Sequence, residues 1–378
     1  MLTANQKNKL WSLRQYLHRF PEISGNERNT AKSIEDFIKP FKPDEIITQI
    51  GGHGLAAIFN GDKEGPATMI RCELDALPIK ELNTDIEYAS TINNVSHKCG
   101  HDGHMAIVAG LALDLKPKKG KVILLFQPAE ETGQGARMVI QDSTFESLKP
   151  NYVFALHNLP GFPINEIVLR KGTFCAASTG VKIKIVGETA HAAAPETGNS
   201  PALVVAKLLP ILTDLPNAKT SELNDFTLIT MTHVQIGAPT FGISPADAKI
   251  FLTLRAYDNQ DLNTILNHIK STVDQIAKGF EIEITQHESF NATVSHDDQV
   301  DLLQSIASQN NLHVTEIEAA NRWSEDFGLF LQQCPGAIFG LGSGTQQPPL
   351  HNHFYDFPDE LIETGIKMFK GVIKALNH

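Results

Sequence analysis

Acid, imidazole and thiolate side chains collect at a few places in this sequence. Residues 97–104 read HKCGHDGH, with Cys99 and His101 two apart. In an extended segment, side chains at that spacing point the same way and can grip one ion or adjoining ions. Residues 128–131 read PAEE. Adjacent carboxylates point in different directions, so one can bind an ion while the other handles a proton. Glu73 and Asp75 close one apolar run, His157 closes another, and His351 and His353 follow a third. Each feature alone has a plainer reading: a solvated turn, an acidic helix start favoured by the helix dipole, or a hydrogen-bonded structural histidine. Random placement, however, would not put acid or imidazole at the same edge of four strands, which is where ligands sit in open α/β sheets.

One thiolate with several imidazoles and carboxylates is too rich for a single ion, and it lacks the all-oxygen character of calcium or magnesium sites. The expected cofactors are two divalent transition-metal ions, drawn from Zn, Mn, Co or Ni. Paired ions about 3.5 to 4 Å apart can share a hydroxide, lower its pKa and polarise a carbonyl.

The elements that must position these groups are legible in the periodicity. Leu10, Leu13, Leu17 and Phe20 keep helical spacing, and residues 30–38 continue in a second amphipathic pattern. Apolar runs at 55–61, 68–74, 121–127 and 152–158, with a helix predicted over 105–115, give an α/β fold whose sheet is mostly parallel and buried on both faces. From 178 the order becomes β-α-β-β-α-β, the pattern of a ferredoxin-like unit. It is expected as an inserted second domain at 178–288, interrupting a first domain at 1–177 and 289–378 that carries the candidate metal ligands.

The 378 residues exceed what one core normally serves, and 42% hydrophobic with 20% charged residues is the composition of an ordinary globular enzyme. A formal charge of −11 argues against a nucleic-acid partner, which needs clustered Lys and Arg. No stretch approaches about 18 apolar residues and no signal peptide is evident, so no membrane partner and a cytoplasmic location are expected. Cys72, Cys99, Cys175 and Cys334 are far apart and form no CxxC pair, which is poor support for disulfides or a zinc knuckle. Oligomeric state stays open. An exposed edge of the inserted domain's sheet is the expected place for chains to pair as a homodimer or homotetramer.

The segments HKCGHDGHM, PAEETGQGA, LHN and RCELDALPI resemble the aminoacylase, hippurate hydrolase and auxin-conjugate hydrolase family of dinuclear metallopeptidases. The likeness runs from residue 14 through GETAHAAAPETGNSP (187–201) and SEDFGLFLQQCPGAIFGLG (324–342) to LHNHFYDFPDELI (350–362). It implies hydrolysis of the amide bond of N-acyl amino acids. Carboxypeptidase and N-acetyl-diaminopimelate-type deacetylase activities share such a centre, and an inactive binding relative is the reading from another class. The resemblance further implies that Cys99, His101, Glu131, His157 and His351 hold the metals. Glu130 becomes the general base, a role suited to a raised pKa, and Asp75 an orienting acid. His191 becomes the oxyanion donor, reaching the metals by closure about segments near 175–180 and 286–292. The chain departs from many members at Glu73, where they carry Asp, and at Gly242, where they carry Asn; the second puts a small-domain substrate or oxyanion contact in doubt. His104 and His353 are assigned supporting roles, and Glu325 and Asp326 are read either as lining the cleft or, more simply, as a helix start.

Overall fold

Apolar runs become buried strands in the computed structural model, which describes residues 2–378. The chain divides into two units. The first gathers the chain up to Phe174 with Thr293–Ala319 and Asp326–His378; the second holds Cys175–Ala292 and Ala320–Glu325. The second unit thus begins before residue 178 and takes in a return segment without apolar rhythm. That segment attaches by backbone: the Ala176 N–H donates to Asn321 O at 2.9 Å, and Arg255 Nη1 donates to Arg322 O at 2.7 Å.

The first unit is built on an eight-stranded sheet. Its strands are β1 (Glu45–Ile50), β2 (Gly54–Asn60), β3 (Lys63–Glu73), β4 (Lys119–Gln127), β5 (Tyr152–Pro160), β6 (Ile167–Leu169), β7 (Val314–Glu316) and β8 (Gly336–Gly344), in the order β1-β2-β4-β3-β5-β8-β6-β7. The central run β4-β3-β5-β8 is parallel. The flanking pairs β1/β2, β2/β4 and β8/β6 are antiparallel, so the sheet is mixed. The reason is connection length: the tight turn after Ile50 permits only an antiparallel return, whereas β3 reaches β4 through a helical crossover.

Helices α1 (Ala4–Arg19), α2 (Arg28–Ile38) and α3 (His101–Leu111) belong to this unit. Leu10, Leu13 and Leu17 of α1 join Leu55, Ala57, Phe59, Ile70 and Leu124 in one core, while Ala56, Met69, Ile123 and Leu125 are buried on the opposite face of the sheet. Cover on both faces is why these strands read as continuous apolar runs. Helix α3 starts at His101, not at 105 as the pattern predicts. Its polar opening, His101, Asp102, Gly103 and His104, is fully buried, because tertiary partners replace the water that periodicity assumes.

The second unit has its own core. A four-stranded antiparallel sheet runs in the order Thr227–Ile236, Asp247–Ala256, Ala177–Val186, Glu281–Phe290, with helices Ala202–Ala218 and Asn259–Ile276 in the connections. Burial alternates strictly along Asp247–Ala256, the pattern of a sheet with one covered face. Val181, Ile183, Ile250 and Leu254 meet Leu208, Leu212, Ile265 and Ile269 there. Among the described residues, no helix is long and apolar enough to cross a membrane.

Candidate metal centre

The carboxyl ends of the central parallel strands carry the polar residues. Glu73 ends β3 and Asp75 follows; Glu130 and Glu131 follow β4; His157 lies within β5, which continues to Pro160 rather than stopping before the histidine. Gly100 is the hinge between Cys99 and α3. Its φ is +92°, and a Cβ there would lie 2.5 Å from Asn158 Oδ1, so only glycine fits. The turn after β4 places Ala129 at φ +51°, and His351 sits at +66°. Such backbone costs a non-glycine residue about 1–3 kcal/mol and is found where surrounding structure over-determines it.

The structure brings Cys99, His101, Glu131, His157 and His351 together. Cys99 Sγ lies 3.5 Å from His157 Nε2, and His351 Nε2 lies 3.7 Å from Glu131 Oε2. His101 Nε2 is 3.9 Å from both Glu130 Oε2 and Glu131 Oε1. Among the described residues, five groups have all their donor atoms within 4.8 Å of one another: two hold Glu130, with His101 and Glu131 or with Glu325 and Asp326, and two hold Cys99, with His101 and His157 or with Glu131 and His351. The latter two share the thiolate. In the fifth group, Glu73, His101 and His104, both nitrogens of His104 are spent, on Glu73 Oε2 at 2.7 Å and Asn158 Oδ1 at 2.5 Å. It is a hydrogen-bonded support.

The donors suit a metal ion. His101 Nδ1 donates to Asp75 O at 2.8 Å, so Nε2 presents a lone pair; that atom is buried and has no hydrogen-bond partner. His157 Nδ1 donates to Asn158 O at 2.9 Å, again directing Nε2 inward. A backbone carbonyl on the remote ring nitrogen is how ligating histidines are oriented. Sulfur, nitrogen and carboxylate oxygen together favour transition metals. Burial disfavours charge on His101, yet hydrogen bonding to Asp75 and the carboxylates of Glu73 and Glu131 raise it to about 10. The surroundings thus favour positive charge here, carried either by a second ring proton on Nε2 or by a cation that Nε2 ligates in that proton's place. Burial and neighbouring His104 keep His157 well below its ordinary value and thus neutral, the ligating form.

Around this cluster runs a network that periodicity did not reveal. Arg71, fully buried, donates to Glu73, to Gln127 Oε1 at 2.8 Å and to Asp326 Oδ1 at 2.7 Å. Asp326 also accepts from the Ala136 N–H at 2.8 Å, so it is a buried hub rather than a simple helix-start acid. Asp75 Oδ2 accepts from Ser24 Oγ at 2.7 Å and from the Glu131 N–H at 2.9 Å. Burial opposes its charge, but His101 and these donors hold its pKa below the usual range. His353 is exposed, with Nδ1 on Lys80 O at 2.7 Å. The signal that was available is Gly100, which stands between two candidate ligands.

His191 belongs to the second unit. It is exposed, on a two-residue strand paired with Ile243–Ser244, and the Ala193 N–H donates to its Nδ1 at 3.0 Å. The ring proton is therefore placed on Nε2. A Cβ at Gly242 would meet nothing within 4 Å, so crowding does not explain the glycine.

Fold and site define a hydrolase of the two-unit metallopeptidase kind. The chain belongs to peptidase family M20/M25/M40, whose profile matches residues 69–375, and it is an amidohydrolase of that family. It is 31% identical to the N-acetyl-L-cysteine deacetylase of Bacillus subtilis (strain 168), over 98% of this chain and 89% of that one. It is likewise 31% identical to the hippurate hydrolase of Campylobacter jejuni, over 93% and 92%. Its fold is similar to that of a dinuclear metal-binding M20 peptidase from Bacillus subtilis, with TM-score 0.83, 23% identity and 99% of both chains covered.

Proposed function

We propose that this protein hydrolyses the amide bond of N-acyl amino acids, releasing a carboxylic acid and a free amino acid. The observation that carries the reading is the pair of donor groups sharing Cys99, with Glu130 beside His101. Relatives named as an N-acetylcysteine deacetylase and a hippurate hydrolase support the substrate class. Cys99, His101, Glu131, His157 and His351 would hold two divalent transition-metal ions. When bound, the ions supply Lewis acidity that polarises the scissile carbonyl and eases ionisation of a water molecule.

The remaining steps fall to side chains. Glu130 accepts the water's proton as the oxygen attacks the carbonyl carbon, then delivers it to the leaving nitrogen as the C–N bond breaks. His191, protonated on Nε2, donates to the developing oxyanion. Asp75 holds the peptide of Glu131 and, through its own carbonyl, the ring of His101.

The test is release of free amine from a panel of N-acetyl and N-benzoyl amino acids by the purified chain, with each of Zn, Mn, Co and Ni and with a chelator. Chelator-sensitive release is expected. Cleavage confined to dipeptides would overturn the substrate class, and turnover that survives removal of metal would overturn the mechanism.

A further inference from the structure

Glu130 stands between two peptide units that are each held by a buried carboxylate. On one side the Ala129 N–H donates to Glu27 Oε1 at 2.8 Å; on the other the Glu131 N–H donates to Asp75 Oδ2 at 2.9 Å. Glu27 and Asp75 are both fully buried. One short segment before α2 serves both acids: Ser24 Oγ donates to Asp75 Oδ2 at 2.7 Å, and the Gly25 N–H donates to Glu27 Oε1 at 2.8 Å. The segment is itself anchored. The Ala76 N–H donates to Glu22 O at 2.8 Å, and the Glu22 carboxylate accepts the Thr30 N–H at 2.7 Å, in the first turn of α2.

Ala129 is the residue whose backbone needs holding, because its φ of +51° lies in the left-handed region. Its carbonyl accepts from the Gly135 N–H at 2.9 Å, so the chain grips it on both sides. A carboxylate accepting an N–H makes a charge-assisted bond, stronger than one to a neutral acceptor. A flip of this peptide would turn the next side chain, Glu130, away from the place it occupies.

We propose that Glu27 is a positioning residue for the general base: its bond to the Ala129 N–H keeps that residue left-handed and so aims Glu130. The inference rests on Glu130 being the base, as proposed above. Glu27 acts through backbone, and its bonds run to the N–H groups of Gly25 and Ala129.

The experiment compares Glu27→Leu, Glu27→Gln and Glu27→Leu/Ala129→Gly with the parent and with Glu130→Gln, all metal-loaded. Readouts are kcat, KM, metal per chain and the melting temperature. Glu27→Leu should lower kcat about 10- to 100-fold, the usual result of misplacing a reacting group by about an ångström, with KM and metal content near the parent's. Glu27→Gln keeps an acceptor oxygen and should retain most of the rate. Glycine adopts the left-handed region freely, so adding Ala129→Gly to Glu27→Leu should recover about tenfold. Parental kcat in Glu27→Leu overturns the inference. So does a loss that only follows lost metal or lost folded protein and that glycine does not relieve. A Glu130→Gln variant with parental activity would instead overturn the base assignment, which keeps the two failures apart.

Discussion

At the scale of single residues, Glu130 and Cys99 make the sharpest demands. In the mechanism proposed above, Glu130→Gln keeps shape but cannot take the water's proton. Turnover should fall by at least about 10²- to 10⁴-fold with metal content unchanged, as single-turnover kinetics and elemental analysis would show. Cys99 is the donor common to both groups made up of proposed ligands, so Cys99→Ala should lose metal and activity together. Cys72, Cys175 and Cys334 are also buried but enter no donor group, and their alanine variants should retain metal. Equal metal in Cys99→Ala and parent would remove the thiolate from the centre. The donor types were legible in sequence because strand ends concentrate them. Glu27 was not, because its meaning depends on the φ of a residue far along the chain. Arg71 is hidden, and Asp326 reads more simply as a helix start, for a similar reason: a buried ion pair has no periodic signature.

At the scale of elements, the start of α3 shows where pattern reading stops. HDGH interrupts the apolar rhythm, so the helix was expected from 105; buried partners instead let it begin at His101. Gly100 sets the angle between that helix and Cys99. Gly100→Ala places a methyl against Asn158 and strains the backbone, and it should cost more than about 2 kcal/mol with weaker metal retention, measured by denaturant unfolding and by chelator competition. A second support lies beneath the helix, where His18 Nδ1 meets Asp102 Oδ2 at 2.8 Å and Nε2 meets Glu81 Oε1 at 3.0 Å. Burial opposes charge on His18, but the two carboxylates raise it from 6.5 to about 9. Burial likewise opposes the charge on Glu81, which His18 and Lys98 hold down at about 2. A raised histidine contributes stability that is fully present below about 6.5 and is lost as pH climbs through about 9. The stability difference between the parent and His18→Leu should therefore shrink from pH 6.5 to 9.5; a difference independent of pH would show that His18 is neutral.

At the scale of the whole molecule, two cores imply two responses. Every proposed ligand lies in the first unit, while the second is held by its own apolar cluster. Calorimetry should resolve two unfolding components, and metal at about 100 times its Kd should stabilise the first by about 2.7 kcal/mol while leaving the second in place. A uniform shift of both would show that the units unfold together. The sheet also sets an order in time. Strand β8 lies between β5 and β6 in space but follows the entire second unit in sequence. A ribosome releases the chain N-terminus first, and units fold as they become complete. During synthesis β5 and β6 emerge with an open seam between them, while residues 175–292 already possess every strand and helix of their sheet. The part that begins second thus finishes first. His351 leaves the ribosome later still, so until then a growing chain presents Cys99, His101, Glu131 and His157 without the fifth of the proposed ligands.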